Sequence, residues 1–337
     1  MSGLALRQGA VLALALLVPS LFVMLAGKDP VATWGVLLGY TLGSWDGFSD
    51  VLVRAIPLTL LGLGVAVAFR GGIFNIGGEG QLIAGAVLAV AASPLLQGLG
   101  WFALPLYLLA GMLGGAAAGG VVGWLRTRYS ANEIIVTILM NYVFLQLLTW
   151  VIRGPLQEPM GFLPRSFVIG DGLKLGLLDA GSRLHAGLFV AVAAAVVLQV
   201  FLTRSAFGFG LDVIGRSAEV ARYAGIRPAR LVVLGLLLSG ALGGLAGAVE
   251  IAGVFHRLED NFAAGLGLSA IAVALMAGLR PALIPFTAIL FGIFHVGSGA
   301  LQRQLSLPFP LVWIVQGVVI LAFLAARAVQ AQHGRRS

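Results

Sequence analysis

The densest set of polar groups between two apolar runs is Phe69-Arg70-Gly71-Gly72-Ile73-Phe74-Asn75-Ile76-Gly77-Gly78-Glu79-Gly80-Gln81. Five glycines here break any continuous helix, and irregular backbone at membrane depth is tolerated only where protein or a water-filled path satisfies its amides and carbonyls. Broken helices commonly line transport routes, which makes Asn75, Glu79 and Gln81 candidates for a translocation path; a glycine-built connecting turn is the plainer alternative. Asn132-Glu133 opens a later apolar run, Asn141 lies within it, and Glu250 falls near the end of another. Such groups are costly inside spans and so mark pathways, although Asn also hydrogen-bonds between helices. A buried Glu79 carboxylate needs a partner, and Arg70 is the nearest candidate.

Other chemistry finds little footing. The two lysines, Lys28 and Lys174, end no G-x-x-x-x-G-K-[ST] loop, so ATP is not bound here by a P-loop. His185, His256, His295 and His333 form no H-E-x-x-H and no metal-ligand cluster. The absence of cysteine removes disulfides, thiol catalysis and Cys-ligated metals. Ser269 and His295 could form an intramembrane serine-protease dyad, but Ser269 in a small-residue apolar stretch reads more simply as helix packing.

The elements that must position these groups follow from composition. Of 337 residues, 59% are hydrophobic and 10% charged, with 48 Gly and mean hydropathy +1.02; soluble domains carry about 25% charged residues. This excludes a soluble globule and describes a single all-α polytopic membrane domain, residues 1–337, of about ten spans. They read as 9–27 (a retained helix rather than a signal peptide), 51–69, 81–98, 102–125, 133–152, 185–202, 231–253, 265–279, 282–301 and 310–327. The net charge of +8 belongs to membrane topology and not to nucleic acid, since no basic patch has interleaved aromatics. Putting the N-terminus inside leaves 13 cations on the cytoplasmic side and 8 outside, which favours both termini in the cytoplasm.

Two loops are long. The external loop, 153–184, mixes prolines, glycines and both charges and reads as a structured cap. The cytoplasmic segment, 203–230, holds a short helix over 217–225: Ser217 can cap it, Glu219 lies in its first turn and Arg222 in its last, Gly225 permits a left-handed stop, and Val220 with Tyr223 make one apolar face.

The run FRGGIFNIGGEGQLIAGA, preceded by RAIPL from Arg54 and followed by NEIIVT from Asn132 with Asn141-Tyr142, resembles bacterial ABC-importer permeases of the ribose/simple-sugar class, closest to their nucleoside-importer branch. Ala218 to Ile226 resembles the segment these permeases place against their ATPase, and Gly267 to Leu279 their eighth-span signature. Arg280-Pro281 stands where the family would carry a more polar, Asn-containing turn. The resemblance implies a permease subunit in the bacterial cytoplasmic membrane, translocating nucleosides or, alternatively, simple sugars. It would have no cofactor of its own, with ATP and Mg on a tandem P-loop ATPase subunit, and would work beside a second homologous permease and an external solute-binding lipoprotein. An ion-coupled secondary transporter is the main competing reading; it would need intramembrane carboxylates, for which Glu79 and Glu250 are the candidates.

Overall fold

A computed structural model describes residues 17, 20–25, 27–159, 161–305, 317 and 318. The described residues are helical, with isolated bridges in place of sheet. In order the helices are α1 (Pro30–Gly43), α2 (Trp45–Arg70), α3 (Gly78–Leu96), α4 (Ala103–Tyr129), α5 (Glu133–Ile152), α6 (Gly187–Arg204), α7 (Ala206–Arg216), α8 (Ala218–Tyr223), α9 (Pro228–Glu250), α10 (Leu266–Met276) and α11 (Ile284–Leu305). Among the described residues, 7 helices are long and apolar enough to cross a bilayer: α2 to α6, α9 with its extension to Phe255, and α11 with the turn before it. The chain is a multi-pass membrane protein.

The expected count of ten needs correction in one place. The span read at 265–279 is the 11-residue α10, about 16 Å long at 1.5 Å per residue, too short for a core of about 30 Å. Of the span read at 9–27 only residues 17, 20–25 and 27 are described, and of that read at 310–327 only 317 and 318; both termini lie outside the described residues. Conversely α1 was not expected. Asp29 caps it, accepting from Val31 N at 2.9 Å, and Pro30 opens it; at 14 residues it falls below the length that marks a span.

The chain divides into two compact units. The first comprises residues 1–54 and 289–337. In it Leu37 and Leu301 pack with Trp34, Ile293 and Phe294, and the Arg303 guanidinium lies over the Tyr40 ring at 5.5 Å.

The second unit, residues 55–288, is centred on α3, α4 and α9. Glycines recur every fourth residue along α4, at 111, 115, 119 and 123, and this row meets α9 in reverse order: Gly111 against Ala248 and Gly244, Gly115 against Gly244 and Gly240, Gly119 against Gly240 and Leu236, Gly123 against Val233. The two helices are therefore antiparallel neighbours in backbone contact. α3 enters the same seam where Gly85 meets Gly244 and Gly247 meets the Leu82 carbonyl. Between membrane helices no hydrophobic drive exists, so close backbone approach of this kind supplies the attraction through van der Waals packing.

The described residues of 153–184 form no α-helix and fold onto the end of α9. That helix widens into a π turn over Ile251–Phe255. The cap is tied to it through Leu175 N to Ala252 O, Ile169 N to His256 O and Ser166 N to Leu258 O, each at 2.9 Å. His185 is fully buried against Gly253, its Nδ1 accepting from Gly187 N at 3.1 Å. Burial, with His256 and Arg183 adding their charges, pushes its pKa down to about 4; burial and Lys174 move His256 in the same direction. An unfolded His takes up its proton near pH 6.5, whereas the folded His185 stays neutral to about pH 4. Stability therefore falls as pH drops through that window, by about 1.4 kcal/mol per unit for one such group. We expect the melting temperature to decline from pH 6.5 to 4 and the decline to flatten in His185→Gln. An equal slope in that variant would locate the titrating group elsewhere.

Candidate functional site

α2 ends in a Schellman turn: Ile73 N donates to Ala68 O, Gly72 N to Phe69 O, and Gly72 takes φ +68°, where a side chain would be strained. Residues 71–77 then run as irregular backbone to the start of α3. The break is real, and its polar groups are met by side chains. Asn75 and Gln81, both buried, form a reciprocal amide pair: Asn75 Nδ2 donates to Gln81 Oε1 at 3.0 Å and Gln81 Nε2 to Asn75 Oδ1 at 3.2 Å. Asn75 also donates to Ser239 Oγ on α9 at 2.8 Å and accepts from Gly77 N at 3.0 Å. Asn141 on α5 clamps the same stretch from the other side, donating to Ile76 O at 3.0 Å and accepting from Gly80 N at 2.8 Å. Thr137 adds a contact to Ile76 N. α5 itself opens as expected, with Asn132 capping Ile134 N at 2.9 Å and Glu133 paired with Arg126.

Glu79 is half-buried in the first turn of α3 and packs against Gly267, its carboxylate facing the backbone at Gly265 and Gly267. These amides open α10, whose N-cap Gly265 has no side chain to serve them, and a carboxylate beside such a helix end is favoured by its partial positive charge. Arg70 is not its partner. That guanidinium instead makes a bidentate pair with Asp212 on α7, Nε to Oδ1 at 2.8 Å and Nη2 to Oδ2 at 2.6 Å. Glu250 is buried in the last turn of α9, about three turns beyond the Ser239 that bonds Asn75.

α7 and Asp212 were missed in the sequence. Ser205 caps the helix, accepting from Gly208 N at 3.1 Å, and Phe207, Leu211 and Ile214 recur at helical spacing; that spacing was the available signal. α7 also touches the glycine turn directly. A Cβ on Gly215 would overlap the Arg70 carbonyl oxygen, and Leu211 packs on Gly71. A cavity of about 730 Å³ opens beside the ion pair, with Arg216 and Arg280 at its edge. In the turn before Arg280, Leu279 sits at φ +57°, a conformation Asn takes readily, so the turn fits the Asn-containing pattern although its residue does not.

α8 follows α7 after one residue. Ser217 accepts from Val220 N at 3.3 Å, Gly225 takes φ +75° in a Schellman stop, and Ile226 N closes back to Ala221 O at 2.9 Å. Ala221 is buried beneath, while Val220 is 58% and Tyr223 86% exposed. Glu219 and Arg222 are exposed in the first and last turns. The helix, six residues long and anchored at both ends, thus presents an apolar face with no cover among the described residues. α7, α8 and the turn at 71–77 form a continuous line of contacts from this exposed face to the amide cluster.

Residues 47–324 match the family described as branched-chain amino acid transport system / permease component. Among curated proteins, the glucose ABC transporter permease protein TsgB13 of Haloferax volcanii is 36% identical over 93% of this chain and 85% of its own length. The guanosine ABC transporter permease protein NupP of Bacillus subtilis is 32% identical over 95% and 96%. The nucleoside ABC transporter permease protein NupB of Lactococcus lactis is 30% identical over 91% and 87%. The chain belongs to this permease family and is a permease subunit of an ABC importer, not itself an enzyme.

Proposed function

We propose that this permease imports nucleosides across the bacterial cytoplasmic membrane. It would do so beside a second homologous permease, driven by a tandem P-loop ATPase carrying ATP and Mg and supplied by an external solute-binding lipoprotein. Both termini and residues 203–230 then face the cytoplasm. Two of the three relatives cited carry guanosine or nucleoside in their names. A nucleoside is uncharged yet rich in donors and acceptors, which suits a path of amides more than one of fixed charges. The glucose permease relative keeps simple sugars as the second reading. The test is uptake of radiolabelled guanosine by membrane vesicles holding the full complex. Excess unlabelled nucleoside should abolish it and excess glucose or ribose should leave it intact; the opposite order of competition would assign the sugar cargo.

The observation that carries the mechanism is the run of packed elements from α8 through α7, whose Asp212 holds Arg70, to the turn at 71–77. Closure of the ATPase would move α8, α7 would pull on Arg70, and the turn at 71–77 would reorder its amide pairing. Asn75, Gln81 and Asn141 are bonded to one another or to backbone in the state described, so the turn acts as a closed gate that the motion opens. A population shift of this kind needs a differential contact in each state, and the ATPase interface is where it would be made. Truncating an exposed aromatic anchor in such an interface costs about 2 kcal/mol. Tyr223→Ala is expected to weaken ATPase retention about thirtyfold in co-purification titrations, and undiminished retention would move the contact off α8.

A further inference from the structure

α7, the turn at 224–227 and the first turns of α9 enclose a cavity of about 660 Å³ that the transport reading leaves unused. Its walls include Phe207, Ile226, Leu231 and Leu234, and Arg227 and Arg230 stand at it. Both arginines are exposed, and neither forms an ion pair among the described residues. Arg227 is also the N-cap of α9, with no side-chain cap bond and with Pro at the first helical position. The first amides of that helix are therefore open, adding partial positive charge at the same place. α9 is a bilayer-crossing helix, so this end lies at headgroup level. Leu234 is 38% exposed on the apolar side of the cavity.

Two unpaired cations, a helix N-terminus and an apolar wall in one recess match a phosphate joined to hydrocarbon. A recess of this size is in the range of roughly 300–1,000 Å³ that holds drug-sized ligands, far more than a bare phosphate fills. Basic pockets between membrane helices bind anionic headgroups by this combination. We propose that the cavity takes an anionic phospholipid, its phosphate held by Arg227, Arg230 and the opening amides of α9, and the first part of an acyl chain against Phe207, Leu231 and Leu234. The proposal rests on the chain crossing a membrane and not on the cargo. A lipid seated here would touch α7 and the root of α8, and so would stiffen the coupling segment.

The test is native mass spectrometry of the purified chain in neutral detergent, titrated separately with phosphatidylglycerol and phosphatidylcholine and challenged with inorganic phosphate. Phosphatidylglycerol should be retained at least tenfold more tightly than phosphatidylcholine, and the double variant Arg227→Gln/Arg230→Gln should lose that preference. Leu234→Trp, which fills the apolar side and leaves both arginines, should also lower retention of phosphatidylglycerol; this variant keeps the test sharp should the arginine pair affect folding. Equal retention of the two lipids, or an unchanged preference in both variants, overturns the site. Displacement of phosphatidylglycerol by millimolar inorganic phosphate would assign the recess to the free anion and overturn the lipid. Since the readout is bound lipid, its failure leaves the uptake result standing, and the reverse holds too.

Discussion

Asp212→Ala is expected to reduce cargo uptake at least tenfold while the ATPase stays bound and continues to hydrolyse ATP. The carboxylate holds Arg70 in a bidentate, charge-assisted geometry with the Arg70 side chain only 17% exposed. Losing such a bond in a partly buried place costs about 1.5–3 kcal/mol, less than would unfold the domain but enough to disconnect α7 from the glycine turn. The pair sits between the exposed α8 and the amide cluster, so the defect should appear as hydrolysis without transport. The swapped pair, Arg70→Asp with Asp212→Arg, should recover part of the uptake. Normal transport in Asp212→Ala would mean that motion reaches the turn by another element, and restoration by the swap could not then be read as coupling.

The second large effect is structural. Gly115→Val should leave no folded protein in the membrane, because its Cβ would overlap the Gly240 carbonyl and the Gly244 backbone. Those atoms belong to a rigid helix and cannot step aside as a side chain can. Overpacking in a close-packed interior costs about 1–3 kcal/mol where side chains can shift and more where they cannot. Gly120, on the same helix, is the control: a Cβ there meets only the tip of Leu237 at 2.8 Å, so Gly120→Ala should be tolerated. The measurement is recovery of monodisperse protein after extraction. Equal recovery of Gly115→Val and Gly120→Ala would mean that α4 and α9 can separate without loss.

How much of this was legible in the sequence depends on the range of the interaction. The break after Arg70, the cap at Asn132 and the whole local design of α8 are set by residues within a turn of each other, and all were readable there. Partners were not. Glu79 was expected to seek Arg70, nine positions away, and the structure gives it the opening amides of α10 instead, because a helix end without a capping side chain offers charge that no letter in the sequence records. Ser239 stood out only as one hydroxyl in an apolar run, and its bond to Asn75 links positions 164 apart. α1 was not expected at all, and α10 was read too long: the apolar run continues through Leu279, past the left-handed turn at Gly278 (φ +63°) where the backbone stops being helical. Neither the glycine row on α4, a four-residue period in the letters, nor its antiparallel mate on α9 was read from the sequence.

That row also bears on how the protein is made. α3 and α4 leave the ribosome well before α9, separated from it by α5, α6 and the whole segment through Arg227. At about 5–20 residues per second, the 121 residues between Tyr129 and Glu250 take roughly 6–24 seconds to synthesise. During that interval the bare glycine face of α4 lies in the bilayer without its mate, against lipid or whatever other helix passes. The tightest seam of the finished molecule is thus among the last to close, and the nascent chain spends its most vulnerable seconds waiting for one late helix.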